Sequence, residues 1–171
     1  ISRLAWLDAP VIAAVNGAAA GAGLSLAACS DLVIASDKAK FTSAYTHIGL
    51  TPDGSSTYFL TRVIGRRRAL ELYLTNRTLN AHEALDWGLV NKVVAPTDLQ
   101  AEVDKLAHSL AKGPTLAHGG VKRLVLMSPN DTLESQMERE TREITRMVTT
   151  KDAQDGIASF VAKQKPSFEG R

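Results

Sequence analysis

The 171-residue chain has a single cysteine, Cys29, so no disulfide can form within it, and a reducing, cytoplasmic setting fits. It has no excess of one charge: 20 Lys and Arg face 18 Asp and Glu, and the net charge of +2 is too small to point to a nucleic-acid partner. The one tight basic cluster, Arg66-Arg67-Arg68, reads first as a solvated helix face and second as a hold for an anionic ligand. Histidine is scarce, and His47, His82, His108 and His118 are scattered without ligand spacing. No Cys/His cluster points to a metal. Low-complexity tracts, repeats and a signal-peptide pattern are not found. Only one stretch, Val11 to Asp31, approaches the roughly 20 apolar residues of a membrane span. It contains Gly17-x-x-x-Gly21, but Asn16-Gly17 interrupts it, alanine and glycine are weakly hydrophobic, and a basic flank is lacking. No Lys-Ser/Thr follows its glycines, which argues against a phosphate loop. Ser25 sits in Gly-Leu-Ser-Leu-Ala rather than a G-x-S-x-G elbow, and no Asp–His partnership accompanies it.

What this stretch does contain is a strand–turn–helix pattern. Val11 to Val15 reads as a buried strand and Asn16-Gly17 as a tight turn, and an Ala/Leu-rich segment ending at Cys29 reads as a buried helix. Gly21 and Gly23 fall where that helix begins. Without Cβ atoms there, a substrate can approach unpaired N–H groups at the positive helix end, a place to stabilise a negative oxygen. Close packing of strand and helix is the competing reading of the same glycines.

Elsewhere the chain alternates short strands and helices, which argues for α/β architecture. Ile1, Leu4, Ala5 and Leu7 read as the end of an amphipathic helix closing at Asp8-Ala9-Pro10, as though a segment preceded Ile1. Leu32 to Ala35 and Lys40 to Ser43 are β-prone. Leu50 to Gly54 is a turn followed by a short apolar segment to Leu60. Arg66 to Leu74 is expected to be helical, with Ala69, Leu70, Tyr73 and Leu74 on one face. Asn80 and Glu83 have capping-box spacing, Gly88 ends that helix, and Leu89 to Val94 is a β-prone run that Pro96 closes. Residues 1–96 are therefore an α/β portion and residues 97–171 a helical one. Its segments are led by Leu99, Val103, Leu106 and Leu110, then Thr115 to Met127, then a seam of Leu133, Met137, Ile144 and Val148, then Lys151 to Lys163. Such seams make cores or subunit contacts.

Asp53 stands out among the remaining polar residues. Pro52-Asp53-Gly54 is a common turn sequence in its own right. A carboxylate in an apolar, glycine-lined bend is also expected to be desolvated, the condition for a proton shuttle near neutral pH.

Ile12-Ala-Ala-Val-Asn-Gly17, Ala20-Gly-Ala-Gly23, Asp31 and Phe41 resemble the signature of the crotonase (enoyl-CoA hydratase/isomerase) family. The resemblance continues through Ile48-Gly-Leu-Thr-Pro52, Arg62, Gly65, Ala84-Leu-Asp-Trp-Gly-Leu-Val90 and Asp155-Gly-Ile-Ala-Ser-Phe160, and so covers essentially the whole chain. It implies a spiral of ββα turns, here without its N-terminal part, with a helical C-terminal trimerisation region. It also implies an acyl-CoA substrate, with coenzyme A part of that substrate and no separate cofactor, and a homotrimer or a dimer of trimers. Two backbone N–H groups hold the thioester oxygen in this family. One falls on Ala22, beside Gly21 and Gly23, and the other on a segment upstream of Ile1. A chain with only one such donor is expected to be inactive, since losing a donor costs about 10²–10³ in rate.

The departures from the family pattern narrow the chemistry. The two glutamates of the hydratases correspond to Ser25 and Tyr45 here, whereas Asp53 matches the aspartate of members that shift double bonds, including the oxepin-forming isomerases of phenylacetate breakdown. The resemblance therefore implies isomerisation, with Asp53 and the Ala22 N–H catalytic and with Tyr45, Leu50 and Pro52 shaping the acyl pocket. Phe160 and Lys163 are the positions expected to touch coenzyme A. Three alternatives remain open: a hydratase using Asp53 and a water placed by Ser25, an aryl-CoA dehalogenase with Asp53 as nucleophile, and a non-catalytic acyl-CoA-binding subunit.

Overall fold

The computed structural model describes residues 1–171, and its short β-prone runs form two three-stranded sheets. Two compact units are present, one of residues 1–5 and 11–104 and one of residues 6–10 and 105–171. In the first, α1 (Ser2–Ala5) precedes β1 (Ile12–Val15), β2 (Ala18–Ala20), α2 (Ala22–Cys29), β3 (Leu32–Ser36) and β4 (Lys40–Thr42). Each turn of chain lays its first strand in one sheet and its second in the other. β1 and β3 pair in parallel, as do β2 and β4, and the helix of each turn returns the chain to the start of the next. This is the ββα spiral.

Side chains fix the register. The carboxylate of Asp31 accepts the Val11 N–H at 2.6 Å, while the Asp31 N–H donates to Val11 O at 3.0 Å, so β3 locks onto β1 before the ladder starts. At the other edge Asn91 accepts from Val33 N at 2.7 Å through its side chain and donates its own N–H to Val33 O at 2.9 Å. β6 (Lys92–Val94) then pairs in parallel with β3.

α3 (Ser56–Thr75) is broken at Gly65, whose φ of 80° and ψ of 158° no L-residue adopts readily. The segment to Leu60, expected to be a short apolar run, is the first half of this helix. Its second half starts at Arg66 as expected, but the buried face is Ala69, Leu72 and Tyr73, and Leu70 and Leu74 are exposed. Arg66, Arg67 and Arg68 are all exposed. β5 (Leu79–Asn80) pairs antiparallel with β4, and α4 (Ala81–Asp86) carries the complete capping box of Asn80 and Glu83.

Several local expectations need correction. Asn16 and Gly17 both keep negative φ, so the chain passes from β1 to β2 without a tight turn, and Gly17 O accepts the Lys40 N–H at 3.1 Å. Ala18 to Ala20, expected to lead into the helix, form a strand because β4 offers them a ladder. β1 is half-buried rather than buried. The strand in Leu89 to Val94 is only its second half, because Leu89 and Val90 are buried as core anchors ahead of it.

The core of this unit gathers Leu24 of α2, Val33 of β3, Phe41 of β4, Leu60 and Leu72 of α3, and Leu79 of β5. Phe41, Leu60, Leu72 and Leu79 are wholly inaccessible, and burying each side chain contributes about 1.5–3 kcal/mol.

α5 (Leu99–Ala111) starts in the first unit. The second unit holds its last residues with α6 (Thr115–Met127), α7 (Leu133–Val148) and α8 (Lys151–Val161). Thr132 caps α7 by accepting from Ser135 N, and Thr150 caps α8 by accepting from Ala153 N. The buried carboxylate of Asp152 accepts the N–H groups of Glu169 and Gly170 at 2.7 and 3.0 Å and straps the C-terminal segment onto α8. Arg123 pairs with Asp8 and, at 2.7 Å, with Glu143. The seam of Leu133, Met137, Ile144 and Val148 is exposed, so it is not core within this unit. No helix is long and apolar enough to cross a membrane.

Phe41→Ala leaves a cavity at the centre of the first core and is expected to cost about 3–5 kcal/mol. Chemical denaturation checks it, with the midpoint falling at constant slope.

Candidate active site

The site forms where the first turn of α2 meets the loop between β4 and α3. Gly21 is the N-cap of α2 with φ 51° and ψ −117°, and its own N–H donates to Thr42 O at 3.1 Å. That backbone geometry belongs to glycine. A Cβ at Gly21 would also stand 3.7–3.8 Å from the Tyr45 ring and hydroxyl, which marks how closely the tyrosine lies over the turn. No side chain caps α2. Ala22, the first helical residue, is exposed, and its N–H points out of an uncapped helix start, where an anionic oxygen is favoured. Gly23 follows inside the helix with negative φ; its lack of a side chain leaves the approach open.

Beneath this turn Ser25 is completely buried. Its hydroxyl lies 3.3 Å from both Gly21 O and Asp53 O. It therefore bridges the two halves of the site from below, a fully buried position for a residue expected to bind substrate. Gly54 sits against the same serine with φ 60°, and a Cβ on it would come to 3.2 Å from Ser25 Cβ and Oγ. Ser55 follows, also left-handed at φ 61°, and stands at the N-cap position of α3 without a side-chain capping bond. Asp53 O accepts Ser56 N–H at 3.1 Å. Two successive left-handed residues thus swing Asp53 out ahead of the α3 N-terminus, where the helix dipole favours its negative charge.

Asp53 is exposed in this chain, so the desolvated bend expected from its apolar neighbours is not what surrounds it. Its turn projects outward instead of folding over the side chain. What does hold the carboxylate is Tyr45, whose hydroxyl donates to Asp53 Oδ1 at 2.6 Å. Partial burial, together with the hydrogen bond to Asp53, pushes the Tyr45 hydroxyl above the ordinary tyrosine range.

Tyr45 is itself anchored. It opens a short 3₁₀ turn, Thr46–Ile48, and its carbonyl accepts from both Ile48 N and Leu50 N at 3.1 Å. On either side Ser43 Oγ donates to Leu72 O at 3.2 Å and Thr46 Oγ1 to Tyr73 O at 2.6 Å, which tie the loop to the last turns of α3. Leu50 is exposed and Pro52 half-buried on the same loop. Phe160 and Lys163 belong to the second unit, Phe160 exposed near the end of α8 and Lys163 left-handed just beyond it. No cluster of His, Cys, Asp or Glu suited to a metal ion is present.

The Tyr45–Asp53 hydrogen bond and the Ser25–Gly54 contact went unread in the sequence. The eight-residue separation of Tyr45 and Asp53 carries no periodic signal, because a 3₁₀ turn and an extended bend lie between them.

The spiral of parallel ββα turns and the open N-terminus of α2 define the crotonase class of α/β proteins. The family profile for enoyl-CoA hydratase/isomerase matches residues 1–171, and the chain belongs to that family. It is 41% identical over 172 residues to the 1,2-epoxyphenylacetyl-CoA isomerase of Escherichia coli, a match covering 100% of this chain and 65% of that protein. It is 40% identical over 167 residues to 4-chlorobenzoyl coenzyme A dehalogenase-1 of an Arthrobacter species, covering 98% of this chain and 60% of that one. The crystal structure of an enoyl-CoA hydratase from a Polaromonas species superposes with a TM-score of 0.93 at 35% identity, covering 98% of this chain and 65% of that chain. The chain thus spans 60–65% of the length of these relatives.

Gly54→Ala forces an L-residue to φ 60° against Ser25, and is expected to cost about 1–2 kcal/mol from backbone strain alone. Thermal unfolding checks the loss.

Proposed function

We propose that the protein isomerises the double bond of an unsaturated acyl-CoA, with Asp53 as the proton carrier. The observation that carries this reading is the Asp53 carboxylate, held at one oxygen by Tyr45 beside the uncapped start of α2. In this mechanism Asp53 takes a proton from carbon; the C–H electron pair moves through the conjugated system to the thioester oxygen. The Ala22 N–H donates to that oxygen as negative charge develops on it. Protonated Asp53 then returns the proton at a different carbon, and the electron pair falls back into a shifted double bond. The product has the substrate's composition, and no water is consumed.

Two further facts support isomerisation over hydration. Adding water across a double bond calls for an acid and a base, and the positions of the family's two glutamates are the buried Ser25 and the phenol of Tyr45. The 1,2-epoxyphenylacetyl-CoA isomerase is also among the relatives about two-fifths identical to this chain. A second reading rests on the equally similar dehalogenase: the same carboxylate could attack an aryl carbon and displace halide. The exposed seam of α7 and the exposed Ile157, Phe160 and Val161 of α8 support self-association, as a trimer or a dimer of trimers.

Asp53→Asn keeps the size of the side chain and removes the base. In the full-length protein it is expected to lower double-bond migration on a 3-enoyl-CoA by about 10²–10⁴-fold, read by absorbance of the conjugated product. An unaffected variant overturns the assignment, and chloride release from a chlorinated aryl-CoA decides for dehalogenation. Ala22→Pro deletes a single N–H at a helix position that tolerates proline. It is expected to lower the same rate about 10²–10³-fold with far-ultraviolet circular dichroism unchanged.

A further inference from the structure

The two oxygens of Asp53 are not equivalent. Oδ1 accepts the Tyr45 hydroxyl at 2.6 Å, while Oδ2 accepts no hydrogen bond. Tyr45 is in turn held on both sides. Ser43 and Thr46 fasten its loop to α3, and its ring lies against the Gly21 turn, so the phenol has a defined position from which to hold the carboxylate. Asp53 itself sits on an exposed turn of two left-handed residues, with no other side-chain donor to fix its χ angles.

We infer that Tyr45 is a positioning residue: its hydroxyl fixes the rotamer of Asp53, occupies Oδ1, and leaves Oδ2 as the atom that takes and returns the proton. This rests on the proposed proton-carrier role of Asp53. It assigns Tyr45 a task beyond lining the acyl pocket, because the hydroxyl rather than the ring is what acts. An exposed carboxylate free to rotate spreads its lone pairs over many directions, whereas one tethered at Oδ1 leaves a single oxygen in a defined position. The bond also holds a neutral donor against the carboxylate through both halves of the reaction, so no second charge is introduced at the site. Ser25 contributes from below through the Asp53 carbonyl and lies against the Tyr45 hydroxyl, but makes no hydrogen bond to the Asp53 carboxylate.

Kinetics and a substrate-free titration test the assignment on the full-length protein, with 3-hexenoyl-CoA as the probe. Tyr45→Phe keeps the ring against Gly21 and removes only the hydroxyl. It is expected to lower kcat about tenfold or more, the loss of one hydrogen bond to a charged group, with KM unchanged. Added to Asp53→Asn it is expected to cause no further loss, since the tyrosine acts through the carboxylate. Wild-type kcat in Tyr45→Phe, or a raised KM alone, overturns the inference and leaves Tyr45 as a pocket wall. Full activity in Asp53→Asn would overturn instead the underlying reading of Asp53.

The second measurement follows Tyr45 ionisation by nuclear magnetic resonance of ring-labelled tyrosine, assigned by the loss of its signal in Tyr45→Phe. The titratable groups facing this hydroxyl are Asp53 and, from α3, Tyr73. Because Asp53 helps hold the phenol protonated, Tyr45 is expected to ionise at lower pH in Asp53→Asn than in the wild type. An identical titration in the two proteins means that the pair does not exist in solution and rejects the inference whatever the kinetics show.

Discussion

The site depends on one close approach, that of the Ser25 hydroxyl to the Asp53–Gly54 turn. Ser25 belongs to α2 and Asp53 to the loop before α3, and nothing in the local sequence of either requires them to meet. The glycine at position 54 lets the loop backbone come down onto the serine, and the hydroxyl lies within hydrogen-bond distance of carbonyls from both sides. From that contact the rest follows. The start of α2 is brought level with Asp53, the left-handed pair Gly54–Ser55 turns the carboxylate outward, and α3 begins directly behind it. A larger side chain at position 25 or 54 pushes the N–H donor and the carboxylate apart, and the two would no longer address a single substrate.

Much of the scaffold was legible because it is written in local chemistry. The capping box at Asn80, the helix start at Arg66 after Gly65, and the helix of Thr115 to Met127 are encoded by residues next to the features they specify. What was missed is non-local. β2 is three alanines, which have no strand preference of their own and are extended only because β4 lies beside them. β5 is two residues held by β4 in the same way. The buried face of α3 runs through Leu72 rather than Leu70 and Leu74, because periodicity locates a stripe but not the direction from which the core arrives. At the site, Asp53, Gly21 and Ala22 could be picked out by residue type. Which groups touch Asp53 could not, since Tyr45 reaches it across a turn whose shape is set by the anchoring of Ser43 and Thr46 to α3.

If Ser25 and Tyr45 stand where the resemblance puts the family's two glutamates, a site of this shape has a single carboxylate, Asp53, to work with. A single carboxylate carries a proton from one carbon to another without changing the total charge of the site, because it ends each cycle as it began. Addition of water requires a proton to be taken from oxygen while another is given to carbon, and a buried serine bonded to backbone carbonyls supplies neither. Tyr45 does not restore the second acid or base either. Partial burial and the adjacent Asp53 both favour its protonated form, so at neutral pH it remains a hydrogen-bond donor.

The exposure of Asp53 bears on how such a site would reach useful basicity. Water around a carboxylate blunts its attraction for a carbon-bound proton, and removing that water strengthens every charge interaction in the site. The chain leaves Asp53 open, with Leu50 exposed and Pro52 half-exposed on its own loop. An acyl chain lying across Leu50 and Pro52, with its thioester oxygen at Ala22, would displace that water as it bound. The substrate itself would then complete the apolar environment that the turn lacks. On this account Tyr45 matters before the substrate arrives, because the carboxylate must already point at the incoming carbon when its water leaves. On the proposed reading the apolar positions beside Asp53 would serve the chemistry by accepting the acyl chain, and they need not bury the carboxylate in the empty site.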